Sequence, residues 1–201
     1  MQTLASLQPG EIYHVFNRGN GRANLFLEER NYHFFLQLYW RHLGVAVDTF
    51  AYCLMPNHFH LLLRVKANEP PGVQLRAPRS LSASRQFANL FNAYAKAVNR
   101  TYGRSGSLFQ KPFRRVAVQT HMQLLTVLRY IHRNPQRHGF VTDFRAYPHS
   151  SYAALRAETP TQLARTEVLG WFGSINEIDR FHQAADDDAA SGIDIGNDGN
   201  R

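Results

Sequence analysis

Asn57-His58-Phe59-His60-Leu61-Leu62-Leu63 reads as a short β-strand with two histidines at i and i+2 and an apolar run behind them. Side chains two apart on a strand point to the same face. His58 and His60 therefore present two imidazoles side by side on one face of a sheet, while Phe59, Leu61 and Leu63 enter the opposite face and the core. Such a pair can hold one divalent metal if a third ligand arrives from elsewhere. It can equally be half-buried and merely hydrogen-bonded, so the rest of the chain decides.

Before this strand, Val45 to Leu54 forms a second one, and Met55-Pro56-Asn57 is a tight connection, so the two make an antiparallel hairpin. Residues 11–17 alternate as a strand, with Ile12, His14 and Phe16 on one side and Tyr13 and Val15 on the other. Arg18-Gly19-Asn20-Gly21-Arg22 is a basic, glycine-rich turn that can hold a phosphate, and residues 28–43 are a helix with Phe34, Phe35, Leu38 and Leu43 at helical spacing. After the histidine strand, residues 67–80 form a loop rich in Pro and Gly. Leu81 to Asn99 is a long helix capped by Ser80 or Ser82, with Phe87, Leu90, Phe91, Tyr94 and Val98 as a core stripe. Leu108 to Val118 returns as a strand carrying Lys111, Arg114 and Arg115. Thr120 caps a helix from His121 to about Asn134, closed by Pro135. Gln136 to Ser151 is irregular, Glu167 to Gln183 helical, and the acidic tail after Asp186 disordered. The order strand, helix, strand, strand, helix, strand, helix is that of an α+β, ferredoxin-like sandwich, an antiparallel sheet covered by helices on one face.

Charge is unevenly spread. Residues 1–160 hold 20 Lys+Arg against 7 Asp+Glu, and residues 161–201 hold 3 against 8. No acid occurs between Glu69 and Asp143, an interval with 12 basic residues, 10 of them arginine. Arginine suits bidentate phosphate contacts, so this stretch predicts nucleic-acid binding that weakens steeply with salt. The same count excludes a nuclease of the two-metal carboxylate kind, because the acids before Asp143 (Glu11, Glu28, Glu29, Asp48, Glu69) do not cluster. Cys53 is the only cysteine, so neither a disulfide framework nor a thiolate cage is available. The N-terminus lacks the basic and apolar regions of a signal peptide, and no stretch approaches a membrane span. A reducing cytoplasm is the expected location.

Tyr130 and Asn134 stand at i and i+4, on one face of the helix after Thr120. If that face lies over the histidine strand, Asn134 can offer its carboxamide oxygen as the third ligand, with Tyr130 one turn away. Asn before Pro is also a common helix stop, and a tyrosine there needs no chemistry.

Leu54-Met55-Pro56-Asn57-His58-Phe59-His60-Leu61-Leu62 resembles the His-hydrophobe-His motif of single-tyrosine HUH transposases of the insertion-sequence-200 kind. Tyr130-Ile131-His132-Arg133-Asn134-Pro135-Gln136-Arg137-His138-Gly139 is similar to the tyrosine helix of one branch, the REP-associated tyrosine transposases. Tyr13-His14-Val15-Phe16-Asn17-Arg18-Gly19 resembles that branch's first strand, and Tyr147-Pro148-His149-Ser150-Ser151-Tyr152 its segment after the helix, where His149 replaces the usual Trp. The resemblance covers about residues 10–155. It implies an HUH transposase domain over 1–155, followed by a helical extension over 156–185 and an acidic tail over 186–201 with no family counterpart.

Carried over by position, the resemblance makes His58 and His60 metal ligands, Tyr130 the nucleophile and Asn134 the third ligand, a position that is Gln in the classical enzymes and Asn in this branch. The implied substrate is single-stranded DNA at REP-like palindromic hairpins, cut through a covalent 5′-phosphotyrosine and rejoined by a 3′-hydroxyl. The implied cofactor is Mg2+ or Mn2+, since a mixed nitrogen and oxygen set leaves open positions for phosphate and water. Arg18, Arg85, Lys111, Arg114, Arg115, Arg133 and Arg137 are the candidate DNA contacts. A monomer or homodimer at the bacterial nucleoid would fit. Two alternatives are a domesticated DNA- or RNA-binding module without turnover and a metal-dependent phosphodiester hydrolase that uses water.

Overall fold

The computed structural model describes residues 6–67 and 82–184, so most of the Pro-rich loop, with Arg76 and Arg79, and the acidic tail lie outside the described residues. The elements are β1 (Ile12–Arg18), α1 (Glu29–Leu43), β2 (Val47–Met55), β3 (His58–Val65), α2 (Ala83–Thr101), β4 (Arg114–Val118), α3 (His121–Arg137), α4 (Tyr152–Arg156), α5 (Arg165–Phe172) and α6 (Ile175–Gln183). The strands form one sheet in the order β2-β3-β1-β4, every neighbouring pair antiparallel. This is the ferredoxin-like arrangement that the order of elements predicts.

Register decides what shares the histidine face. In β1, His14 lies opposite Leu62, Phe16 opposite His60 and Arg18 opposite His58. Paired residues point the same way, so one face carries His14, Phe16, Arg18, His58 and His60, flanked by Cys53 and Met55 of β2 and Arg114 of β4. The other face carries Tyr13, Val15, Phe59, Leu61 and Leu63, buried under α1 and α2 by Phe35, Tyr39, Phe87, Leu90 and Tyr94.

Helices cover both faces of the sheet, not one. The histidine face is polar at the end bearing His58 and His60 and again at Arg64 and Asp48; between them Phe50, Ala51, Leu62 and Val118 are apolar and, with Cys53 beside His60, must be buried too. α3 closes over them with Leu124, Val127, Leu128 and Ile131. A Leu62→Ala cavity in this fully buried layer would cost roughly 2–5 kcal/mol. The helices after residue 156 join the same core. Arg64 of β3 donates to both Asp48 and Glu167, Ala164 N–H donates to the Thr49 carbonyl at 2.8 Å, and Trp171 meets Phe50 edge-on at 4.9 Å.

Three expected boundaries move. The strand over Leu108 to Val118 shrinks to Arg114–Val118, because Pro112 has no N–H for the ladder; Lys111 thus lies outside the strand, with Phe109 making only an isolated bridge to Gly19. Pro135 does not close α3, which runs on to Arg137. The stop comes from Gly139, whose φ of +73° lets its N–H reach the Gln136 carbonyl while Phe140 N–H reaches that of Pro135, the Schellman pattern. The single helix over Glu167 to Gln183 is two, separated where left-handed Gly173 ends α5 and Ser174 caps α6 through the Glu177 N–H. The short α4 begins directly after the irregular tract that ends at Ser151. Thr120 caps α3 as expected, in a reciprocal box with Gln123. No helix among the described residues is long and apolar enough to cross a membrane.

Candidate active site

The two histidines of β3 stand edge to face, ring centroids 5.2 Å apart. His58 Nδ1 lies 2.6 Å from the Asn57 side-chain oxygen, which can only accept, so Nδ1 carries the proton and Nε2 the lone pair. His60 is oriented differently. Its Nδ1 lies 2.9 Å from Nε2 of His14, with the rings stacked at 5.1 Å, and both side chains are buried. A histidine ligand held by a partner on its other ring nitrogen is the ordinary second layer of a metal site.

α3 supplies the opposite wall. Tyr130 meets His60 edge-on at 5.5 Å and His14 at 5.9 Å. Two turns further on, the ring of His138, the C-cap of the helix, lies 5.1 Å from that of His58. Asn134 falls midway between these two contacts on the same helix face, between the residues that touch His60 and His58. Asn134 is 1% exposed, and among the described residues neither the oxygen nor the nitrogen of its carboxamide has a hydrogen-bond partner. A buried amide in that state costs roughly 1–3 kcal/mol unless something else satisfies it. A cation facing the oxygen would do so. Among the described residues no three His, Cys, Asp or Glu side chains cluster as a cage, so two imidazoles need a ligand of another kind. The donors present fit a divalent ion bound by mixed nitrogen and oxygen.

The expected DNA contacts divide. Arg18 sits across from His58, Arg114 is exposed across from Phe16, and the Arg137 guanidinium lies 5.3 Å over the Tyr130 ring. These three border the histidine face. Arg115 points to the other face and stacks over Phe113 at 4.9 Å. Arg133 donates to the Ala184 carbonyl at 3.0 Å, toward the C-terminal helices. Arg85 lies in the first turn of α2, in the opposite layer, and Lys111 is exposed in the segment before β4.

His14 is the residue that strand alternation alone does not single out. The alternation places it beside Phe16, but only the register of β1 on β3 brings it to His60. His149 fills its unusual position by stacking on Tyr32, centroids 3.5 Å apart and planes 7° from parallel, with Nε2 3.2 Å from the Glu29 carboxylate. A flat ring of another kind therefore packs where the family's Trp is expected.

Comparison with known proteins bears on the fold. No family model matches the chain. A Haemophilus influenzae protein provisionally named a REP-associated tyrosine transposase is 29% identical over 105 residues, which is 52% of this chain and 58% of that relative. The match thus spans little more than half of either protein. The solved structure of a REP-associated tyrosine transposase bound to a REP hairpin superposes with a TM-score of 0.58 at 17% identity, covering 82% of this chain and 91% of that one. The fold is that of a REP-associated tyrosine transposase. Tyr130 lies on the helix that closes the histidine face of this fold.

Proposed function

We propose that the chain cuts and rejoins single-stranded DNA beside palindromic hairpins through a covalent link to Tyr130. The observation that carries this reading is the meeting of Tyr130 with His60 and His14 at one end of a wall whose next turn holds the unpartnered carboxamide of Asn134. The relatives add the fold, one of them holding a REP hairpin. An acid-poor, arginine-rich chain surface supplies the attraction for DNA.

His58, His60 and Asn134 would hold Mg2+ or Mn2+, which when bound polarises the scissile phosphate. The remaining roles belong to the chain. Asn57 and His14 hold the two imidazoles so that their outer nitrogens face the site. Arg18 and Arg114 draw the phosphate backbone to the histidine face, and Arg137, lying over Tyr130, is placed to meet the attacked phosphate. Tyr130 Oη attacks phosphorus, the bond from phosphorus to the 3′-oxygen breaks, and the strand leaves with a free 3′-hydroxyl. A phenol loses its proton only near pH ~10, so as the bond forms its proton must pass to solvent while the departing 3′-oxygen takes one up, with no net change in protons. Because the phosphotyrosine keeps a phosphodiester bond, a 3′-hydroxyl can reverse the attack and join strands without an external energy source.

The deciding experiment incubates wild type and Tyr130→Phe with end-labelled hairpin DNA and Mn2+. Wild type should give a covalent protein–DNA band and the variant none. Equal adduct in both rejects Tyr130 as nucleophile. Cleavage with no adduct in either points to a water-using hydrolase, and binding without cleavage to a domesticated module.

A further inference from the structure

The turn that ends α3 carries an aromatic side chain that neither the core nor the catalytic step uses. Phe140 is 44% exposed. Its backbone is nevertheless fixed, by its own N–H on the Pro135 carbonyl at 2.9 Å and by the Gly139 N–H on that of Gln136 at 3.0 Å. Close to half of this large apolar ring stays in water on a rigid turn, leaving surface that a stacked partner would bury.

Its place narrows the choice of partner. The Phe140 ring lies 6.4 Å from that of His138, which lies 5.1 Å from His58. A run of rings therefore leads from the histidine pair to an exposed aromatic face two side chains away. Arg137, one residue before His138, lies over Tyr130. A strand whose phosphate reaches Tyr130 and the histidines would bring its neighbouring nucleotides across this turn. Every base has a π-face that can lie on such a ring, and a cation beside the platform suits the phosphate between bases.

We propose that Phe140, backed by His138, is a stacking site for one unpaired nucleobase flanking the attacked phosphodiester, so that it positions the strand and discriminates against a paired or missing base there. This rests on the reading of Tyr130 and the histidines as a site for single-stranded DNA. The ligand class is a single-stranded nucleotide; the stacking itself tolerates any base, and the site reads whether a base is unstacked and available.

The test measures binding of the full chain, in EDTA so that no cleavage contributes, to a hairpin with single-stranded flanks in which each flanking base is replaced in turn by an abasic site. Phe140→Ala should weaken binding of the intact hairpin about tenfold. One abasic position should weaken wild type by a similar factor yet leave Phe140→Ala no weaker than it already is. Phe140→Trp should restore affinity where Phe140→Leu does not. A 2-aminopurine at that position should be quenched by wild type and not by Phe140→Ala. Equal affinity of wild type and Phe140→Ala for the intact hairpin overturns the platform, as does a loss in Phe140→Ala that adds to every abasic penalty alike. Melting curves of the variants separate misfolding from lost stacking, with Phe140→Leu as the second variant. A platform that passes these tests in a protein forming no Tyr130 adduct refutes the transferase reading alone, and failure of the platform with adduct intact refutes this inference alone.

Discussion

His14 Nε2 lies 2.9 Å from His60 Nδ1, a contact between two buried imidazoles on neighbouring strands. A ligand imidazole is oriented and made more basic by the partner on its second nitrogen, and removing that partner costs about 10–100-fold in metal affinity. His14→Ala should therefore bind Mn2+ about 10–100-fold more weakly by titration calorimetry, and His14→Gln, which keeps a side-chain amide near the same place, should lose less. Unchanged Mn2+ affinity in a folded His14→Ala protein would show that His14 is core filling and no more.

Asn134 gives a prediction with an unusual sign. Its buried carboxamide has no hydrogen-bond partner, so in metal-free protein it is a net cost that a leucine of similar size avoids. Asn134→Leu should raise the metal-free unfolding free energy by about 1–3 kcal/mol, and the rise in Tm expected of wild type on adding Mn2+ should be absent in the variant. If Asn134→Leu is less stable than wild type without metal, or still gains from Mn2+, the carboxamide has another partner and is not the third ligand.

Much of this candidate site is legible in the sequence, and the boundary of legibility has a physical cause. The face shared by His58 and His60 follows from the two-residue repeat of a strand, and the face shared by Tyr130 and Asn134 from the turn of a helix. Both are local. His14 depended on strand register, which is set by packing across the sheet. The helix cover on the histidine face depended on Leu62, Ala51 and Phe50 being apolar beyond the histidines, a pattern hidden by the polar end. The end of α3 was misplaced because Pro135 signals a stop while Gly139, which makes it, stands four residues later. Charge composition marked Arg133 and Arg137 alike, and only the side of the helix each occupies separates them.

That separation is testable. Each arginine that pairs with a phosphate releases counterions, and its loss lowers the dependence of binding on salt by close to one unit in the log–log slope. Arg137→Ala and Arg114→Ala should each reduce the slope for hairpin binding by about 0.7–0.9. Arg133→Ala, whose Nη1 is engaged with the Ala184 carbonyl, should leave the slope unchanged. A slope lowered by Arg133→Ala and untouched by Arg137→Ala would place the DNA on the other side of α3.

A buried chain of hydrogen bonds ties α3 to α6 and predicts how stability responds to acid. Tyr52 N–H donates to Ser151 Oγ, which lies 2.8 Å from His132 Nε2; His132 Nδ1 lies 2.8 Å from His182 Nε2, and His182 Nδ1 lies 2.8 Å from the Ile178 carbonyl. That carbonyl can only accept, so His182 carries its proton on Nδ1, accepts at Nε2, and every link is satisfied with both rings neutral. Burial pushes the His182 pKa down to about 4, the Ile178 carbonyl and Asp179 opposing the shift and Arg129 and Arg133 adding to it; burial and His182 push His132 down as well. His132, Tyr152 and Phe144 enclose the His182 ring. Because the folded value lies below the unfolded one of about 6.5, the unfolded chain takes up the proton first as pH falls. The contribution is complete above pH ~6.5 and is withdrawn between there and pH ~4, at up to about 1.4 kcal/mol per pH unit from this histidine. Urea midpoints should accordingly drop from pH 7.5 to pH 5, and the drop should be shallower in His182→Gln, which cannot take up a proton. An equally steep drop in His182→Gln would assign the acid sensitivity to other groups.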